Sequence, residues 1–166
     1  WSGVFSETAF VGIALVISYY FSQLRFGVVG IIPEATLELL LAGDAHLPIQ
    51  YRALIPWFSK IVILMVELVA AKALVSPESV FQAIELISSV LLVMAFRAYV
   101  SLFVSSLIVA RLFSFSIFFP LLFHYVLWIP GYPSLQYLQW FSWDIPSVAF
   151  VTMGLVTLYK KKWLLY

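Results

Sequence analysis

Val4-Phe5-Ser6-Glu7-Thr8-Ala9-Phe10-Val11-Gly12-Ile13-Ala14-Leu15-Val16-Ile17-Ser18-Tyr19-Tyr20-Phe21 carries one charge, Glu7, near its start and closes on an aromatic pair. A hydrocarbon layer about 30 Å thick takes roughly 20 apolar residues of helix. Rings such as Tyr19 and Tyr20 suit the edge of that layer. The segment reads as a membrane span. It has neither the basic leader nor the small-residue cleavage site of a secretory signal.

The rest of the chain agrees with this segment. Of 166 residues, 64% are apolar and 10% charged, against roughly 45–50% and about 25% in soluble domains. The 9 basic and 8 acidic side chains are too few to coat a soluble particle of this length. Mean hydropathy of +1.06 points the same way. The expected fold is all-α, a single polytopic bundle over residues 1–166 with about four to six membrane helices.

Other totals exclude functions. Net charge is +1 and the one basic block is Lys160-Lys161-Lys162, so no nucleic-acid footprint exists. With no cysteine there is no disulfide, thiolate metal site or thiol nucleophile. His46 and His124 by themselves do not make a metal site. The chain opens at Trp1 and a new apolar run starts at Trp163, so a piece of a longer polytopic protein is expected.

Further spans are placed at Leu112 to Trp128 and Ile145 to Tyr159, the second with Asp144 as cap and Pro146 in its first turn. The lysine cluster orients the set. Residues 160–162 are expected inside together with the N-terminus and Arg111. Segments 23–52 and 129–143 are expected outside, with Arg25 a violation of the rule. Ser76 and Pro77 read as N-cap and first helical residue of a helix over 77–96.

The segment 53–75 has two readings. In one it crosses the membrane, and 98–111 must then cross as well. In the other it lies on the outer surface, and one long helix ending at Arg111 makes the crossing with Arg97 inside it. Lys60, Glu67 and Lys72, spaced about every two turns, favour the surface placement.

The polar content is densest in the first external stretch, after a short helix expected over 33–42. There Asp44, His46, Gln50, Tyr51 and Arg52 offer a carboxylate, an imidazole, an amide, a phenol and a guanidinium within nine positions. A carboxylate can act as base for an acceptor hydroxyl, and an arginine can clamp a phosphate through two parallel bonds. Plainer roles stand beside these: Asp44 as a turn residue after Gly43, Arg52 and Tyr51 as headgroup anchors, Asp144 as a helix cap. Glu85, Arg97 and Arg111 read as interhelical partners, and His124 as a packing residue.

Gln50-Tyr51-Arg52-Ala53-Leu54-Ile55-Pro56-Trp57 resembles the QYR-x-L-hydrophobic-P-W segment of a broad group of bacterial multi-spanning membrane proteins. Asp144-Ile145-Pro146-Ser147, with Phe150, Gly154-Leu155 and Lys161-Lys162-Trp163, resembles a second segment of that group, although Trp143 stands where the group has tyrosine. In layout the group is similar to the C-type membrane glycosyltransferases. The resemblance implies a polyprenyl-phosphate sugar donor, Asp44 as the loop carboxylate, and Arg52 with Tyr51 at the donor phosphate. Gln50, His46 and Asp144 are the further substrate-binding candidates, and a divalent cation is the cofactor such chemistry would recruit. An integral protein of the bacterial inner membrane is implied. Two rivals remain: a non-catalytic subunit packed against partner membrane subunits, and a small transporter.

Overall fold

A computed structural model describes residues 7–28, 37–42, 44, 54–69, 76–125 and 144–160. They form seven α-helices: α1 (Glu7–Val28), α2 (Leu37–Ala42), α3 (Leu54–Val69), α4 (Pro77–Val100), α5 (Leu107–Ser114), α6 (Phe118–Tyr125) and α7 (Asp144–Tyr159). A 3-10 turn, Phe115–Ile117, joins α5 to α6. The fold is all-α among the described residues. Two stretches, Glu7–Phe26 and Ser79–Val100, are long and apolar enough to cross a membrane.

Local sequence explains most of the boundaries. Ser76 holds an extended backbone (φ −86°, ψ 152°) and its hydroxyl accepts from the Ser79 N–H at 3.2 Å, while Pro77 opens α4 where no N–H is needed. Pro120 sits in the first turn of α6 and has no N–H to offer the Ser116 carbonyl. The tightening over Phe115–Ile117 falls where that bond is missing.

Neither expectation for 98–111 holds. The segment is not a crossing of its own, and α4 does not run on to Arg111. The helix stops at Val100, the Ser101 hydroxyl bonds back to the Arg97 carbonyl at 2.8 Å, and Ser106 caps α5 through the Val109 N–H. Serines at 101, 105 and 106 offer the backbone local partners that compete with a continuing helix. At its other end α1 extends past Phe21 to Val28 and takes Arg25 with it. Gln23-Leu24-Arg25-Phe26 contains no helix breaker, and a paired arginine does not end a helix.

Side-chain contacts fix the directions. Glu7 meets Arg97 and Arg25 meets Glu85, so α1 and α4 run antiparallel. Asp144 joins Arg25 at one end and Tyr159 meets Phe103 at the other, so α7 runs alongside α4 in the same direction. The Glu7–Arg111 pair and the ring contacts Phe10–Phe115 (5.4 Å) and Phe21–Phe118 (5.2 Å) set α5, the 3-10 turn and the start of α6 along α1.

The main core joins Phe10, Ala14 and Phe21 of α1 to Leu92 and Val93 of α4 and to Ile145 and Ala149 of α7. Ala14, Ser18 and Ser22, each buried and four apart, keep that face of α1 small enough for close helix approach. A second, smaller core joins Leu40 of α2 and Ile55 of α3 to Val80 and Ile84 of α4. The described contacts of α3 with α4 therefore fall on the N-terminal part of α4.

The polarity of the particle is reversed relative to a soluble one. Arg25 is the largest fully buried side chain, while Val16, Tyr20, Met65, Phe113 and Phe119 are each more than half exposed. Exposed apolar side chains around a buried arginine and glutamate suit lipid. The chain has integral-membrane character and meets the bilayer through its spanning helices.

Candidate functional site

Three features stand out: an ion-paired cluster at each end of α1, and an apolar hollow beside one of them. At the C-terminal end of α1, Arg25 Nη1 donates to Glu85 Oε1 at 3.1 Å and Nη2 to Asp144 Oδ2 at 3.3 Å. The Arg25 and Glu85 side chains are 1% and 2% exposed and Asp144 14%, so the cluster ties α1, α4 and α7 together away from water. At the other end, Glu7 accepts from Arg97 Nη1 and Arg111 Nη2, both at 2.6 Å, tying α1 to α4 and α5. The Arg97 guanidinium also stands 4.9 Å over the Phe10 ring.

Glu7 and Arg25 are 18 residues apart, which is about 27 Å and five full turns of helix. They share one face of α1 and sit near the two edges of an apolar layer. That interval was the available signal for Arg25, which a charge-counting rule sets aside as a topological exception. The expectation that Glu85, Arg97 and Arg111 are interhelical partners holds, and Asp144 takes the same role toward Arg25.

The hollow has a volume of about 360 Å³ and lies between α3, α4 and α7. Leu54, Ile55 and Phe58 form one wall, Ser88 and Leu91 the floor on α4, and Pro146 and Phe150 the opposite wall. Ligand sites of this size are typically apolar with few polar groups. Among the described residues of the lining, Ser88 is the polar one. It lies one turn from Glu85, and Pro146 lies two residues from Asp144, so the hollow adjoins the Arg25 cluster. The QYR-x-L-hydrophobic-P-W stretch and the stretch opened by Asp144 thus contribute facing walls of one hollow.

Asp44 is exposed, and its N–H bonds the Leu39 carbonyl at 3.0 Å. This is the six-to-one closure that commonly ends a helix followed by glycine, here Gly43. It accounts for the backbone of Asp44 and leaves the carboxylate outward. Leu40, four residues before it, packs on Ile55 and Ile84, which brings α2 to the Glu85 end of α4. His46, Gln50, Tyr51 and Arg52 lie outside the described residues, as does the His124 side chain. Arg52 precedes Leu54, a wall residue, by two positions. Among the described residues no group of three or more His, Asp or Glu side chains could hold a metal ion.

Compared with protein-family models, with curated proteins and with solved structures, the chain matches none of them.

Proposed function

We propose that this chain is a glycosyltransferase-like protein of the bacterial inner membrane that uses a polyprenyl-phosphate sugar at the external end of its bundle. The observation that carries the reading is the hollow. Its walls come from the two segments that suggested the family, and its lining suits the hydrocarbon chain next to a lipid phosphate. Arg52, two residues before the wall at Leu54, supplies the guanidinium for that phosphate, with Tyr51, Gln50 and His46 beside it. Asp144 contributes by fixing its wall through Arg25.

In this reading α1, α4, the α5–α6 pair and α7 cross the membrane, with Arg25, Glu85 and Asp144 at the outer end and Lys160 inside. An acceptor hydroxyl attacks the anomeric carbon, the bond from that carbon to the phosphate oxygen breaks, and polyprenyl phosphate leaves. Asp44 takes the hydroxyl proton as general base.

A second reading is a non-catalytic subunit of a larger membrane complex. Glu7, Arg25, Glu85, Arg97, Arg111 and Asp144 are all engaged in interhelical ion pairs, an arrangement that favours a scaffold over a conduction path.

The test is donor binding and turnover by the intact protein. Arg52→Lys keeps the charge and loses the bidentate geometry, so donor binding weakens while insertion is retained. Asp44→Asn keeps the turn and removes the base, so turnover drops by roughly 10²–10⁴-fold with binding retained. If the wild-type protein binds no polyprenyl-phosphate sugar, the transferase reading fails and the subunit reading replaces it.

A further inference from the structure

The geometry points to a binding site for an anionic phospholipid at the end of the bundle opposite the hollow, along the outer face of α7 and the C-terminal end of α4. On α7, Val151, Leu155 and Tyr159 are exposed at intervals of four and form one apolar stripe that ends beside Lys160. From α4, Phe96 stacks on Tyr99 (6.1 Å), Tyr99 meets Phe103 edge-on (5.3 Å), and Phe103 reaches Tyr159 at 6.1 Å. This row of rings bridges the two helix ends, with Phe103 65% and Tyr159 61% exposed. Exposed rings with hydroxyl tips mark the level where hydrocarbon gives way to headgroups.

Charge at this end is one-sided. Among the described residues, the ends of α1, α4, α5 and α7 gathered here carry one carboxylate, Glu7, against Arg97, Arg111 and Lys160. Lys161 and Lys162 follow in the sequence. A lipid whose acyl chain lies on the Val151–Leu155–Tyr159 stripe has its phosphate at the height of Lys160, where an ammonium and the Tyr159 hydroxyl can meet it. A zwitterionic headgroup brings its own cation into the same place, so the site prefers a net anionic lipid such as phosphatidylglycerol. The site is independent of any sugar transfer.

The test uses the full chain in nanodiscs that mix phosphatidylcholine with phosphatidylglycerol, with retained lipid counted by native mass spectrometry after mild detergent release. The wild type should retain phosphatidylglycerol in preference to phosphatidylcholine. Lys160→Gln should reduce that preference about fivefold. Tyr159→Leu should weaken retention with all three lysines in place, which separates a built site from diffuse attraction. Equal retention of the two lipids, an unchanged preference in Lys160→Gln, or undiminished retention in Tyr159→Leu overturns the proposal. Displacement of the retained lipid by inorganic phosphate assigns the site to a soluble anion and overturns it as well.

Discussion

Arg25→Met tests the most consequential contact in the bundle. The substitution keeps most of the side-chain bulk and removes the cation shared by Glu85 at 3.1 Å and Asp144 at 3.3 Å. Removing one partner of a buried ion pair costs about 3–5 kcal/mol, because the remaining charge stays desolvated. Asp144 retains some access to solvent at 14% exposure, whereas Glu85 has almost none at 2%. The loss should therefore fall near the lower end, about 3 kcal/mol, and come mainly from Glu85. The assay is equilibrium unfolding in mild detergent by added dodecyl sulfate, followed by helix content. The triple variant Arg25→Met, Glu85→Met, Asp144→Asn removes the three charges described in the cluster together and should be more stable than the single variant, since no one of them is left without the others. Wild-type stability in Arg25→Met would refute the reasoning, and so would a triple variant less stable than the single one.

Three further expectations concern packing and caps. Ala14 is 0% exposed in the core between α1 and α4, so Ala14→Leu should destabilise by about 1–3 kcal/mol in the same assay. Gly12, on the same helix, has nothing within 4 Å of an added Cβ, so Gly12→Ala should instead stabilise by about 0.5–1 kcal/mol. Ser76→Ala removes the acceptor for the Ser79 N–H and should cost about 1 kcal/mol, recovered by Ser76→Thr; amide exchange over the first turn of α4 reports it directly.

Some features were legible residue by residue. Ser76-Pro77 announced the start of α4 because a cap is a local contract between a hydroxyl and an N–H three residues on. Asp144-Ile145-Pro146 announced α7 through the proline in a first turn that needs no donor, while Asp144 is itself the first helical residue and pairs with Arg25. Glu85, Arg97 and Arg111 were readable as interhelical partners because a charge in an apolar stretch is costly until it is paired. The partner was not readable. Nothing near Arg25 in sequence names Glu85, which is 60 positions away, or Asp144, which is 119 away. The hollow was hidden for the same reason, since its walls lie on helices separated by most of the chain.

The end of α4 at Val100 shows a third kind of limit. The stretch 98–113 carries a single charge, Arg111, and its serines at 101, 105 and 106 are uncharged, so a hydropathy reading sees one element or two with equal ease. The helix breaks over 101–106, where the serines offer the backbone local partners, and Glu7 takes both guanidinium groups at 2.6 Å, which holds the two arginines at one level.

By itself the sequence determined the solvent, the helical class and the starts of α4 and α7, because burial in lipid and local turn chemistry depend on composition and on neighbours within a turn. Only the tertiary structure decided which charges answer each other, where α4 reverses and which segments face one another across the hollow. Those outcomes depend on distances between helices, and a one-dimensional pattern does not carry them.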